Sequence, residues 1–150
     1  MQKERNLVSI IELPSTSREE DAALAALADL ARVVPTWGPC RVIGGHMVTV
    51  HVALSGSDAR HRPTADADLA AALVFSEPGF AERLTDLGYA KVDGSRLARA
   101  TTYGQAVIDL IAPVPASRAL HSQPAGRFHV DKFPGIQYAL NEPAVVVGGV

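Results

Sequence analysis

The sequence has few of the features that mark secreted, membrane-bound or polyanion-binding proteins. Its single cysteine, Cys40, excludes an intramolecular disulfide, which fits a reducing cytoplasm. The formal net charge of -2 gives no general attraction to nucleic acid or to an anionic membrane. The first residues, "MQKERNLVSI", lack the apolar core of a signal peptide, and no apolar run is long enough to span a bilayer. We therefore expect a cytoplasmic protein with no membrane partner.

The composition is that of a folded globular chain. Hydrophobic residues make up 47% of the sequence and charged residues 20%, a balance that excludes intrinsic disorder. A chain of 150 residues is long enough to bury one hydrophobic core. We interpret residues 1–150 as one domain. The interpretation leaves open whether residues 113–150 complete this domain or belong to a truncated C-terminal region.

A capped helix is the first element that the sequence predicts. Ser17 and Glu20 have the spacing of a capping box, and alanine and leucine dominate from there to residue 30. Leu24, Leu27 and Ala31 recur at helical spacing, which predicts the face that packs on the core. We expect Pro35 to end the helix.

Two interpretations compete for the stretch that follows. "CRVIGG" (40–45) reads as a short strand that runs into a glycine pair. In "HMVTVHVALSG" (46–56), valines and Leu54 alternate strictly with other residues, which favours a strand. Met47, Val50, His51 and Leu54 also fit one face of a helix, so the residues alone leave both structures open.

Helices and strands alternate along the rest of the chain. We expect a strand at 64–74, a helix within 76–89 that ends at Gly88, and a hairpin at 96–113 that turns near Tyr103 and Gly104. This mixture predicts an α/β (α+β) fold in which helices flank a small mixed sheet.

Three aspartates are candidates for a metal site. Asp66 and Asp68 are separated by one residue, so on a strand they share a face at roughly 6–7 Å and repel each other. Asp109 lies among branched aliphatic residues in "AVIDLIAP", where an unpaired carboxylate would be costly to bury. If the three converge, their oxygens suit Mg²⁺ or Mn²⁺. The alternative is an ordinary acidic pair on an exposed strand edge or loop.

The glycine pair at Gly44 and Gly45 has a functional and a structural interpretation. Glycine lets backbone amides approach a ligand closely, and a helix that begins here would present a phosphate site. The alternative is a tight turn. His46, beside the pair, is a candidate phosphate contact or a packing residue.

Three segments together resemble the polymerase-beta-like nucleotidyltransferase superfamily, and most of all its abortive-infection (AbiEii-type) toxin group. They are "VIGGH" at 42–46, "RPTADADL" at 62–69 and "VIDLI" at 107–111. The resemblance covers about residues 38–112. It implies the nucleotidyltransferase fold and a helix rather than a strand at 45–54.

The resemblance also implies a role for each matching residue. The implied nucleotide-binding residues are Gly44, Gly45, Arg62 and Thr64. The implied metal-binding and catalytic residues are Asp66, Asp68 and Asp109, with Mg²⁺ or Mn²⁺ as the cofactor. Asp109 is in addition the candidate to activate the acceptor hydroxyl.

The expected activity is transfer of a nucleoside monophosphate from a nucleoside triphosphate to a hydroxyl group. In the toxin group the acceptor would be transfer RNA or a protein, and an antitoxin would be a partner. The alternative is a non-catalytic nucleotide-binding or antitoxin-like relative with the same fold, and a third interpretation is a purely structural domain. The apolar end "NEPAVVVGGV" predicts cover by the sheet, by a second copy in a homo-oligomer, or by further polypeptide.

Overall fold

The computed structural model describes residues 9–34, 39–58, 63–115, 117–143 and 147–148. Within these ranges the protein has the expected mixed α+β fold. The helices are α1 (Arg18–Val33), α2 (Gly45–Leu54), α3 (Pro78–Asp86) and α4 (Ile136–Asn141). The strands are β1 (Ser9–Ile10), β2 (Cys40–Ile43), β3 (Ala67–Ala71), β4 (Ala90–Asp93), β5 (Arg96–Thr101), β6 (Gly104–Pro113), β7 (Leu120–Ala125), β8 (Phe128–Phe133) and β9 (Val147–Gly148).

The long strand β6 organises the main sheet, which is ordered β2-β3-β6-β5-β4. On one side, residues 108–111 of β6 pair with β3 in parallel. On the other side, residues 104–109 pair with β5 antiparallel, and residues 111–113 pair with β8 in parallel. Strand β8 also pairs with β7. The sheet therefore divides beside residues 109–111, where β6 changes neighbour from β5 to β8.

The hydrophobic core lies on one face of this sheet, under α1 and α3. Along β6 the even-numbered residues from Ala106 to Ala112 are buried, and Asp109 points to the opposite face because side chains alternate along a strand. The largest fully buried apolar side chains are Phe75, Phe80, Leu30, Leu69, Leu84, Leu97, Ile108, Leu110, Val74 and Val130. The alternation thus separates a core face from a face available for function.

Helix α1 has the expected N-terminus but packs through a different face. Ser17 Oγ accepts a hydrogen bond from the Glu20 backbone N–H at 3.1 Å, as the capping signal predicts. The predicted core face was wrong, since Ala31 is exposed and Leu24 and Leu27 are only half-buried. The buried apolar residues are Ala22, Ala23, Ala26, Leu30 and Val33. These residues also recur at helical spacing, so the spacing alone does not choose between the two faces. The helix ends at Val33, and Pro35 lies outside the described residues.

A buried polar network fixes α1 against the sheet. Asp29 on α1 is only 3% exposed, and its Oδ2 accepts hydrogen bonds from Tyr89 Oη at 2.7 Å and Arg99 Nε at 2.7 Å. The Arg99 guanidinium also lies 5.7 Å from the centre of the Tyr89 ring. Two donors therefore satisfy the buried carboxylate, which would otherwise destabilise the core.

Helix α2 occupies residues 45–54, as the resemblance implies, and the strand that local alternation favoured is wrong. Gly44 adopts a positive φ of 72°, which turns the chain from β2 into the helix. His46 and Thr49 then face inward, and His46 Nε2 donates a hydrogen bond to the Ala23 carbonyl at 3.1 Å. This contact with α1 overrides the strand propensity of the valines.

Two later predictions are confirmed and one needs correction. Gly88 follows α3 with a φ of 99°, and strands β5 and β6 form the expected hairpin. The strand expected at 64–74 covers only Ala67–Ala71, and a 3-10 turn follows at Leu73–Ser76. The turn buries Val74 and Phe75 together, which a continuous strand would place on opposite faces.

Sequence analysis did not predict β4, or the hairpin β7–β8 and helix α4 that occupy much of residues 113–150. Pro124 lies within β7, and proline is a signal against a strand, although it is tolerated on a strand at the sheet edge.

In the terminal apolar run, β9 pairs in parallel with β1 in a separate two-stranded sheet. Residues 144–146 and 149–150 of that run lie outside the described residues. Among the described helices, none has the length and apolar character needed to cross a membrane.

Candidate metal and nucleotide site

Strand pairing brings the three predicted aspartates together. Asp68 on β3 and Asp109 on β6 are direct register partners on neighbouring parallel strands, so their side chains lie on the same face. Asp66 lies just before β3, at the position two residues earlier. One oxygen from each carboxylate lies within 4.8 Å of the other two. We call Asp66, Asp68 and Asp109 the aspartate triad.

The triad is an electrostatically unfavourable group of like charges. Burial raises the pKa of Asp68 to about 6, and the charges of Asp66 and Asp109 add to this effect while Arg96 opposes it. Burial also raises the pKa of Asp66, together with its hydrogen bond to Asp109 and the charge of that residue. A cation placed among these oxygens would relieve the repulsion.

Arg96 contacts the triad, and the sequence analysis did not identify it. Its Nε donates to Asp109 Oδ1 at 2.9 Å and its Nη2 to Asp109 Oδ2 at 2.8 Å. Nη2 also donates to Asp66 Oδ2 at 3.1 Å. The signal was present in the hairpin, because a turn at 102–103 places Arg96 directly opposite Asp109. Finding it required the register as well as the motif.

Both predicted glycines lie against this site. A Cβ built on Gly44 would overlap Asp68 Oδ2, and a Cβ built on Gly45 would lie 2.7 Å from Thr64 Oγ1. These two positions therefore need glycine so that the start of α2 can approach the triad. Thr64 in turn donates from Oγ1 to the Asp66 carbonyl at 3.2 Å, which holds the backbone just before β3.

One other candidate residue, His46, is not brought to the triad. Arg62 lies outside the described residues. His46 is 1% exposed and bonded to α1, so it is a packing residue rather than a phosphate contact. Burial lowers the pKa of His46, with the Ala23 carbonyl and the charge of Glu20 acting in the opposite direction.

A cleft of about 730 Å³ opens beside the triad, at the division of the sheet between β5 and β8. The residues that line this cleft include Asp68, Asp109, Arg96, His121 and Asp131. Asp131 accepts hydrogen bonds from Ser95 Oγ at 3.1 Å and from the Ser122 backbone N–H at 2.9 Å. The cleft thus has a fixed polar framework and room for a ligand next to the triad.

The donor set fits a hard divalent cation. Three carboxylates within reach of one another are the ligands that Mg²⁺ and Mn²⁺ prefer, and both ions retain water or phosphate oxygens at their other positions.

Comparisons with family models, curated proteins and solved structures produced no match to this chain. The case for a function therefore depends on the geometry of the site.

Proposed function

We propose that this protein is a metal-dependent nucleotidyltransferase that moves a nucleoside monophosphate from a nucleoside triphosphate to an acceptor hydroxyl. The observation that carries the proposal is the pairing of Asp68 with Asp109 on neighbouring strands, with Asp66 beside them and Gly44 packed on Asp68. This arrangement joins a hard-cation site to the start of a helix, and both features can bind the phosphates of a nucleoside triphosphate.

Each part of the site has a distinct role in the proposed reaction. Asp66, Asp68 and Asp109 would hold Mg²⁺ or Mn²⁺, which when bound neutralises triphosphate oxygens and polarises the attacking hydroxyl. The backbone amides at the start of α2 bind phosphate, because the first N–H groups of a helix have no partner within it. Asp109 would accept the proton of the acceptor hydroxyl, as the resemblance implies, and pyrophosphate would leave. Thr64 positions Asp66 through the backbone contact described above.

The acceptor in this proposal is transfer RNA or a protein, as the resemblance to the toxin group implies. An antitoxin is then a further partner. The cleft lined by Asp68 and Asp109 leaves space for an acceptor next to the triad.

A second candidate function is nucleotide binding without transfer, as in an antitoxin-like relative. Arg96 favours it, because its three hydrogen bonds partly compensate the charges of Asp109 and Asp66 without a metal. The two candidates differ in whether label passes from the nucleotide to an acceptor.

The test is incubation with each α-labelled nucleoside triphosphate, Mg²⁺, and either total RNA or cell lysate. We expect labelled RNA or protein with the wild type. The amount of transferred label should fall about 100-fold or more in Asp68→Asn, since this substitution removes a metal ligand. Asp86→Asn is the matched control, because Asp86 is an exposed aspartate on α3. Binding of Mg–ATP without any transfer would favour the second candidate, and a lack of both would contradict the proposal.

A further inference from the structure

Arg96 makes a bidentate contact with one proposed metal ligand and a single contact with another. Both oxygens of Asp109 accept from its guanidinium, and Asp66 Oδ2 accepts from the same Nη2 that contacts Asp109. The Arg96 side chain is nevertheless 48% exposed, whereas that of Asp109 is 16% exposed. The contact therefore joins an accessible cation to a largely buried anion.

The Arg96 side chain lies beside the cleft as well as beside the triad. Arg96 is the first residue of β5, and it follows Gly94 and Ser95 at the edge of the 730 Å³ cleft. Arg96 itself lines this cleft, so rotation of its side-chain torsions would carry the guanidinium from the triad into the cleft while β5 remains paired with β6.

A divalent cation and the guanidinium need the same oxygen atoms. Asp109 offers its two oxygens, and both face Arg96. A metal ion held by Asp66, Asp68 and Asp109 would also repel the positive charge of Arg96, whose guanidinium lies 2.8–3.1 Å from oxygens of Asp66 and Asp109. The two cations therefore compete, and binding of one costs part of the favourable interaction of the other.

We propose that Arg96 is an internal counter-ion that the divalent metal displaces from Asp109 and Asp66, and that the released guanidinium binds the phosphates of the nucleotide in the adjacent cleft. Guanidinium groups bind phosphate in the same bidentate geometry that they use with carboxylate, so the side chain exchanges one planar partner for another. This inference rests on the proposed function, since it assumes that the triad holds the metal.

The first test measures Mn²⁺ affinity by electron paramagnetic resonance in the wild type and in Arg96→Met. We expect Arg96→Met to bind Mn²⁺ roughly 3- to 10-fold more tightly, the scale of a partly exposed charged pair. Arg96→Lys should also bind more tightly than the wild type, by a smaller factor, because an ammonium group cannot make the bidentate contact. This second variant retains the charge and guards against a fold defect in the first.

Arg18→Met is the matched control for a simple change of net charge. Arg18 is exposed, and its Nη2 donates to the Thr102 carbonyl at 2.7 Å. Thr102 lies in the turn at the opposite end of the β5–β6 hairpin, roughly 15–20 Å from Arg96 along the strand. This variant should bind Mn²⁺ as the wild type does.

The second test observes the arginine side chains directly by nuclear magnetic resonance during titration with Mg²⁺. The Nε–H signal of Arg96 should shift as its hydrogen bond to Asp109 is lost. Arg99 is an internal control, because its Nε donates to Asp29 at 2.7 Å, away from the triad. Its signal should stay in place.

The third test measures Mg–ATP affinity, which should fall in Arg96→Met although metal affinity rises. Two outcomes would contradict the proposed competition between the two cations. One is equal Mn²⁺ affinity in the wild type and Arg96→Met, and the other is an Arg96 signal that does not shift with Mg²⁺. Unchanged Mg–ATP affinity would overturn the phosphate contact. Failure of both wild type and Arg96→Met to bind Mn²⁺ would instead remove the proposed metal-dependent function, and this inference with it.

Discussion

At the scale of single residues, Gly44 combines two constraints at the candidate site. Its φ of 72° disfavours any side chain, and the space where a Cβ would lie is taken by the Asp68 carboxylate. A substitution here would both strain the backbone and displace a proposed metal ligand. The glycine thus matters for the geometry of the triad as well as for the turn.

We predict that Gly44→Ala lowers Mn²⁺ affinity by about tenfold or more and destabilises the fold by roughly 1–3 kcal/mol, because both the strain and the overlap must be relieved. Isothermal titration calorimetry and chemical denaturation measure the two effects. Gly56→Ala is the matched control, since Gly56 has a φ of 70° but nothing within 4 Å of a built Cβ. It should lose about 1 kcal/mol of stability and keep its Mn²⁺ affinity. Equal Mn²⁺ affinities in the two variants would contradict the role given to Gly44.

Asp68 should make stability depend on pH. Its pKa is raised from an ordinary value of 3.8 to about 6, so the folded state keeps a proton that the unfolded state has released. The resulting stabilisation is present below about pH 4 and is lost as the pH rises through 6. After allowance for solvent screening of this half-exposed group, the loss is about 1 kcal/mol.

The measurement compares urea unfolding of the wild type and Asp68→Asn between pH 4 and pH 7, with a chelator present. The unfolding free energy of the wild type should fall relative to that of Asp68→Asn as the pH rises, since asparagine does not titrate. Because protons compete with metal for Asp68, Mn²⁺ affinity of the wild type should also fall below about pH 6. An Mn²⁺ affinity that stays constant from pH 7 to pH 5 would place the metal elsewhere.

At the scale of secondary-structure elements, the contact between α1 and α2 determines how the second helix begins. His46, the second residue of α2, is 1% exposed and bonded to the Ala23 carbonyl on α1. Ala23 itself is fully buried in the face that packs on the sheet. The first turn of α2 is therefore anchored to the core, and Gly44 and Gly45 are held beside the triad.

We predict that His46→Leu destabilises the protein by about 1 kcal/mol, because the Ala23 carbonyl, which lies within α1, loses its buried side-chain donor. His46→Gln should retain much of the stability, since its amide can donate to the same carbonyl. Burial lowers the pKa of His46 below its ordinary 6.5, so the unfolded state binds the proton more readily. The stability that His46 contributes is present above pH 6.5 and is lost as the pH falls below it.

Chemical denaturation from pH 8 to pH 5 checks this sign, with His46→Gln as the variant that lacks the titrating group. The wild type should lose stability relative to His46→Gln on acidification, the reverse of the change expected for Asp68. A constant difference across this range would mean that His46 takes up its proton equally well in both states.

At the scale of the whole molecule, the candidate site depends on elements that are distant in sequence. Asp68 and Asp109 meet because β3 and β6 pair in parallel, with α3, β4 and β5 between them in the chain. A ligand that joins these strands should stabilise the whole fold, because the unfolded chain does not assemble the triad.

We predict that Mn²⁺ or Mg²⁺ at about 100 times its dissociation constant raises the melting temperature by roughly 5–10 °C, from a binding contribution of about 2.7 kcal/mol. Differential scanning calorimetry measures the shift, and a chelator should reverse it. Asp68→Asn should show little shift, while Asp86→Asn should behave as the wild type. An equal shift in Asp68→Asn would indicate a metal site outside the triad.

Parts of the fold and of the site were predictable because their signals are local. Ser17 caps α1, Gly88 follows the end of α3, and the turn before Gly104 separates β5 from β6. Backbone conformation at such positions depends on the residue itself and its near neighbours. The aliphatic neighbours of Asp109 likewise predicted that its carboxylate has a partner, and Arg96 donates to both of its oxygens.

Other features depended on which elements meet in three dimensions. The alternating valines of α2 favour a strand locally. The buried contact between His46 and α1 stabilises the helix instead. Two sets of apolar residues on α1 recur at helical spacing, and only the packing of the helix on the sheet decides that the face with Ala26, Leu30 and Val33 is buried.

The sequence by itself determined the mixed fold class, the helix cap, the hairpin and the three aspartates as candidates for one site, since these follow from residue type and short-range spacing. Only the tertiary structure decided that Arg96 bonds Asp109 and Asp66, and that a cleft opens where β6 changes neighbour. The physical reason is strand register. A shift of one residue would turn Arg96 to the other face of the sheet, and pairing between distant segments selects the register.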